Sequence, residues 1–126
     1  MTTATPILIV DDNPSNLKLF TFLLALPGYA VTTASNAEQA LGVLERLVPN
    51  LIIMDLQLPD VDGLTLTRQL KADPRMQGVP IVAVTASAMK GDEEKARAAG
   101  VDGYMSKPVE KRAFRAMVAS YLEPGV

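Results

Sequence analysis

The sequence contains no cysteine and no histidine. Without cysteine there can be no disulfide, no thiolate metal site and no thiol nucleophile. Without histidine the commonest general base and the commonest metal ligand are missing, so carboxylates, hydroxyls and amines must carry any chemistry. An excess of positive charge is absent too: twelve Lys and Arg against fourteen Asp and Glu leave a net charge of −2, which advertises no nucleic-acid face. No apolar run approaches the ~20 residues of a membrane span, and Met1 to Thr5 lacks the basic start and apolar core of a signal peptide. The expected setting is therefore the cytoplasm, with no membrane or nucleic-acid partner.

What remains is the composition of a globular protein. The chain has 126 residues, 48% hydrophobic and 21% charged, enough for one domain with a core of its own. A single domain is expected over 1–126, with its core at about 6–122 and loose ends at 1–5 and 123–126. Ile7 to Val10, Leu51 to Met54 and Ile81 to Val84 are short continuous apolar runs, the pattern of strands buried on both faces of a parallel sheet. Tyr29 to Thr33 and Gly103 to Ser106 complete a set of five.

Helical patterns lie between these runs. Asn13 and Pro14 read as a cap and first helical position, and Ser35 with Glu38 as a capping box before Ala37, Ala40, Leu41, Leu44 and Val48. Leu64 to Ala72, Met89 to Ala99 and Val109 to Leu122 follow, the last with Val109, Ala113, Met117 and Tyr121 on one stripe. Gly28, Pro49, Gly78 and Gly100 punctuate the ends. Strands alternating with helices predict an α/β fold of βα units with both sheet faces covered.

In such sheets ligands bind beyond the carboxyl ends of the strands, where strand order reverses. There the first run ends in Asp11-Asp12, the third in Asp55, the fourth in Thr85 and the fifth in Lys107-Pro108. Crowded carboxylates raise one another's pKa unless a cation joins them, and Mg²⁺ suits an oxygen-only set better than zinc or copper. A carboxylate beside Mg²⁺ can attack a phosphoryl group to form an acyl phosphate. Asp55 is the natural nucleophile, Asp11 and Asp12 the metal ligands, with Lys107 and the Thr85 hydroxyl holding the phosphoryl oxygens. Taken singly, each has a plainer reading: Asp12 as a helix cap, Asp55 as a strand end before a turn, Thr85 as a β-branched strand residue, Lys107 as a solvated cation. Asp60, Asp62, Asp102, Gly63 and Gly103 read as turn residues. The coincidence of five polar residues at one sheet edge favours the chemical reading.

Val10-Asp11-Asp12-Asn13, Met54-Asp55-Leu56-Gln57-Leu58-Pro59, Asp62-Gly63, Val84-Thr85-Ala86 and Ser106-Lys107-Pro108 resemble, in order and spacing, the receiver domain of bacterial two-component response regulators. The likeness spans about residues 6 to 122. It implies a flavodoxin-like (βα)5 three-layer sandwich with a parallel sheet of order 2-1-3-4-5. It also implies phosphorylation of Asp55 by a phosphohistidine on a histidine kinase or phosphotransfer protein. Mg²⁺ would sit on Asp12, Asp55 and the Gln57 main-chain carbonyl, with Asp11 acting indirectly. Thr85 and Tyr104 resemble the family's switch pair, although Tyr104 in a strand also reads as a packed aromatic. Gln57 and Ser87 occupy positions that tune phosphoryl lifetime in this family, and the Lys107-Pro108 bond is often cis there. Thr85 to Glu94 is similar to the stretch found in stand-alone cell-cycle regulators and in receivers of hybrid kinases.

Two surfaces stand out. On a helical wheel the apolar residues from Leu17 to Leu26 cover about 220°, far more than the ~100° a core face needs. Phe22, Leu19 and Leu26 are therefore candidates for a phosphotransfer-partner patch, against the plainer reading of a deeply covered helix. The segment Lys90 to Ala99, rich in alanine and charge, has little to bury, which suits an element that shifts on phosphorylation together with the Tyr104 surface. The expected protein is a phospho-signalling switch and not an enzyme on a separate substrate, a monomer or weak dimer that engages a downstream effector. The alternatives are a hybrid-kinase receiver or phosphorelay intermediate, then a small-molecule phosphatase or a flavin binder. Gln57 stands where haloacid dehalogenase-like enzymes carry a second carboxylate, and Asp11-Asp12 would repel a flavin phosphate.

Overall fold

The structure is a computed structural model that describes residues 4–86 and 91–122. Five parallel strands, β1 (Thr5–Val10), β2 (Tyr29–Ala34), β3 (Leu51–Met54), β4 (Ile81–Thr85) and β5 (Gly103–Ser106), form one sheet in the order β2-β1-β3-β4-β5. Helices α1 (Pro14–Leu23), α2 (Ala37–Leu44), α3 (Gly63–Ala72), α4 (Asp92–Ala99) and α5 (Lys111–Leu122) alternate with them. This is the flavodoxin-like α/β arrangement. The chain steps from β1 outward to β2 and then back across β1 to β3, so the strand order reverses between β1 and β3.

Side-chain alternation along the strands explains the continuous apolar runs. Ile7 and Ile9 face one layer with Ile53, Val82 and Val84, where Phe20 and Leu23 of α1 and Phe114 and Val118 of α5 cover them. Leu8 and Val10 face the other with Ile52, Met54 and Ala83, covered by Ala40 and Leu44 of α2, Leu66 and Leu70 of α3 and Ala96 of α4. The first layer is closed by Phe20 and Phe114, whose rings stack at 5.0 Å with 16° between their planes. Arg115 Nε adds a hydrogen bond to the Leu23 carbonyl at 3.0 Å.

Several local expectations shift by a residue or more. β1 begins at Thr5, inside the segment expected to be loose, because the Thr5 N–H pairs with the Gly28 carbonyl. Asn13 caps α1 as expected, but α2 is capped by Asn36, whose side chain accepts the Gln39 N–H at 2.7 Å. Ser35 instead gives its N–H to Gln39 Oε1, so the predicted Ser35–Glu38 box lies one residue too early. Helix α5 starts at Lys111 and buries Phe114 and Val118 most deeply, leaving Ala113 exposed; the stripe is rotated toward the aromatic that completes the stack. Helix α4 is described from Asp92, and Ser87, Met89 and Lys90 lie outside the described residues.

Candidate functional site

The reversal point between β1 and β3 is where the two acidic strand ends meet. Hydrogen bonds of the sheet carry on past the strands: the Asp11 N–H reaches the Ala34 carbonyl at 3.0 Å, and the Asp55 N–H reaches Val10 at 2.9 Å. These ladder bonds aim both carboxylates over the sheet edge, where Asp11 and Asp55 are buried and Asp12 is exposed. Carboxylate oxygens of all three lie within 4.8 Å of one another.

Lys107 enters from the far strand. Its own N–H is held by the Thr85 carbonyl at 2.9 Å, and its ammonium donates to Asp11 Oδ2 at 2.7 Å and Asp55 Oδ2 at 2.8 Å. Burial works against the Lys107 ammonium, but the hydrogen bonds and charge of the two aspartates outweigh it and raise its pKa above the ordinary lysine value. The remaining oxygens take backbone donors: Asp11 Oδ1 accepts the Asn13 N–H and Asp55 Oδ1 accepts the Gln57 N–H, both at 2.9 Å. The Lys107–Pro108 bond is cis.

The loop after Asp55 is held close to the start of α3 by a glycine. A Cβ on Gly63 would lie 2.5 Å from Leu56 Cα and 2.9 Å from the Asp55 carbonyl, and the Gly63 N–H donates to the Leu56 carbonyl at 3.0 Å. Any side chain at 63 would push the loop away from Asp55. Thr85, the last residue of β4, is buried, and with half-buried Tyr104 it lines a cleft of about 140 Å³ whose other walls include Gln57, Asp62 and Asp92. Partial burial, then the charges of Asp92 and Glu93, push the Tyr104 hydroxyl pKa upward.

Asp11, Asp12, Asp55, Gln57, Thr85, Tyr104 and Lys107 thus converge on one sheet edge. The apolar candidates on the first helix stand apart from it. Phe22 is 69% exposed, Leu26 43% and Leu19 38%. Phe22 lines a shallow groove with Leu17, Lys18 and Thr33, whereas Leu26 lines another with Pro27, Tyr29 and Leu122, so the three do not form one depression.

Two residues read as turn formers do more. Asp102, at the opposite sheet edge, pairs with Lys71 at 2.8 Å and accepts the Ile81 N–H at 2.8 Å. Asp60 reaches across to α2, accepting the N–H groups of Ala37 and Glu38. In both cases the partners lie more than twenty residues away, where local pattern carries no signal.

An acidic pocket poised over the C-terminal edge of a 2-1-3-4-5 sheet has close counterparts. Residues 7–119 match the family model of the response regulator receiver domain. The polar-differentiation response regulator DivK of Brucella anthropi is 44% identical over 116 residues, covering 92% of this chain and 94% of that one. A response regulator structure from Chloroflexus aurantiacus superposes with a TM-score of 0.90 at 29% identity, covering 97% of this chain and all of the other. The receiver domain of a sensor histidine kinase from Pseudomonas aeruginosa, solved with a magnesium ion coordinated in its active-site cleft, gives a TM-score of 0.86 at 34% identity over 97% of this chain and all of its own.

Proposed function

We propose that this protein, which belongs to the response regulator receiver domain family, takes a phosphoryl group onto Asp55 from a phosphohistidine donor and thereby changes which proteins it binds. The observation that carries this reading is the charge count at the sheet edge. Three carboxylates gather within 4.8 Å in an oxygen-only set, and the one ammonium among them, Lys107, pairs with Asp11 and Asp55, so acidic groups outnumber the cation by two. Such a set fits a hard divalent cation, and the magnesium in the Pseudomonas aeruginosa receiver supports the choice of Mg²⁺. Asp12, Asp55 and the Gln57 main-chain carbonyl would hold it, with Asp11 acting through its bonds to Lys107 and Asn13. Bound there, Mg²⁺ would neutralise charge between Asp55 and the incoming phosphoryl group.

An Asp55 oxygen attacks phosphorus; the O–P bond forms as the donor's P–N bond breaks, and the electron pair leaves on the imidazole nitrogen, which takes a proton. Lys107, already on Asp55 Oδ2, neutralises the phosphoryl oxygens, and the Thr85 hydroxyl donates to one of them. Drawing Thr85 toward the phosphoryl group alters the cleft it shares with Tyr104, and α4, whose buried side chains are the small Ala96 and Ala99, has little apolar burial to hold it against moving. The effector would read that α4 and β5 surface, while Phe22, with Leu19 and Leu26 nearby in sequence, would meet the kinase or phosphotransfer donor in the cytoplasm. The 34% identity to a kinase receiver supports a second reading, a hybrid-kinase receiver or relay intermediate with the same chemistry.

Intact mass after incubation with acetyl phosphate and Mg²⁺ tests the reading. One phosphoryl adduct, lost in Asp55→Asn and with chelator, is expected. No adduct from acetyl phosphate or from a phosphorylated donor, with beryllofluoride also failing to bind, would overturn it.

A further inference from the structure

The loop that follows Asp55 is tied to a different helix by a single side chain. Asp60 Oδ1 accepts the Ala37 N–H at 2.9 Å, Oδ2 accepts the Glu38 N–H at 3.0 Å, and Oδ1 also accepts the Val61 N–H at 3.0 Å. Ala37 and Glu38 open α2, so their N–H groups have no carbonyl within the helix to reach. Asn36 caps the next free donor, Gln39, from within the same segment. A cap brought in from beyond β3 fastens two elements together as well as satisfying a helix end. The hydrogen bond from Ala37 is the largest influence on the Asp60 carboxyl, and with those from Glu38 and Val61 it outweighs the opposing desolvation and lowers the Asp60 pKa.

The tie links the segments that follow β2 and β3, the two strands flanking β1, after which Asp11 and Asp12 stand. Helix α2 follows β2, whose last residue, Ala34, accepts the Asp11 N–H at 3.0 Å. Gln57 sits on the other side, on a loop held at its start by the Gln57 N–H to Asp55 Oδ1 and by the Gly63 N–H to the Leu56 carbonyl. Between Leu56 and Val61, Asp60 is the side chain that bonds to another element among the described residues.

We propose that Asp60 is a positioning residue for the metal site: by tying the loop after β3 to α2, it holds the Gln57 carbonyl in reach of Asp12 and Asp55 and so sets divalent-cation affinity. This rests on the Mg²⁺ reading above. The side chain touches neither metal nor phosphoryl group and acts through the backbone of its loop.

The test uses the full chain, labelled with ¹⁵N, in four forms: wild type, Asp60→Ala, Asp60→Asn and Asn36→Ala. MgCl₂ is titrated while the Asn13 and Gln57 amides are followed, and amide exchange over 57–61 is measured without metal. Asp60→Ala is expected to bind Mg²⁺ roughly tenfold more weakly, the low end of the cost of losing a residue that orients a ligand, with faster exchange at Gln57 and Val61. Asp60→Asn, which keeps one acceptor oxygen, should fall between and serves if the alanine variant does not fold. Asn36→Ala weakens the same helix end without touching the loop and should keep wild-type affinity. Wild-type Mg²⁺ affinity in both Asp60 variants would overturn the proposal, as would an equal loss in Asn36→Ala. A wild-type protein that binds no Mg²⁺ would overturn the metal reading and this proposal's affinity clause with it; unchanged exchange at 57–61 would overturn the tie itself.

Discussion

The two edges of the sheet handle lysine and aspartate in opposite ways. At the C-terminal edge one ammonium serves two buried carboxylates, with the side chains of Lys107, Asp11 and Asp55 only 13%, 2% and 6% exposed. At the N-terminal edge Lys71 serves Asp102 alone, at 30% and 40% exposure, and the Val79 carbonyl and Ile81 N–H complete the set. The first arrangement is short of positive charge and largely dry; the second is balanced and wet. An arrangement left short of charge invites a ligand, whereas a balanced one only fastens α3, β4 and the turn before β5. Counting charge against burial separates the two where residue types do not, since both are built from aspartate and lysine.

The sharpest way to break the contrast is to remove the ammonium at each edge. Lys107→Ala leaves two buried carboxylates uncompensated and should cost about 3–5 kcal/mol in urea unfolding without metal. If the C-terminal edge is short of charge, Mg²⁺ at roughly a hundredfold over its Kd should raise wild-type stability by about 2.7 kcal/mol. The same addition should leave Asp12→Asn nearly unmoved, a comparison read by calorimetry. Lys71→Ala, by contrast, should cost about 1 kcal/mol or less, because a half-exposed pair is screened by water; a loss equal to that of Lys107→Ala would erase the distinction.

Asp60 extends the contrast to pH. Its folded pKa is below the ordinary 3.8, so its contribution is complete above that value and is lost as pH falls through the lower folded pKa. The stability gap between wild type and Asp60→Asn should therefore hold at neutral pH and close in acid. The smallest expected effect lies away from both edges: Phe22→Glu should change stability by under ~0.5 kcal/mol while slowing phosphotransfer from the donor. An unchanged transfer rate would remove the helix face from the donor contact.

What the chain discloses by itself follows the reach of each interaction. β1, β3 and β4 are legible because burial on both faces leaves uninterrupted apolar runs, and Asp11, Asp12, Asp55, Thr85 and Lys107 are legible because they stand where those runs or their neighbours end. The cap of α2 slips from Ser35 to Asn36 because both are good caps, and the choice is settled by Gln39 and by Asp60 arriving from elsewhere. The buried stripe of α5 is turned by Phe114, whose partner ring belongs to Phe20 at the other end of the sequence. Asp60 and Asp102 are turn residues by composition and fasteners by position. Nothing within a few residues of either one shows which role it has.

The ring stack between Phe20 and Phe114 also orders events in time. One face of the sheet, including Ile53 and Val84, shares its apolar cluster with both α1 and α5, and α5 follows the other four described helices in the chain. On the ribosome, five strands and four helices can be in place while that layer still lacks half its cover. The nascent chain then shows water, or a chaperone, the very aromatic surface that Phe114 and Val118 later close. Synthesis from the N-terminus thus defers the seal of this layer until α5 emerges.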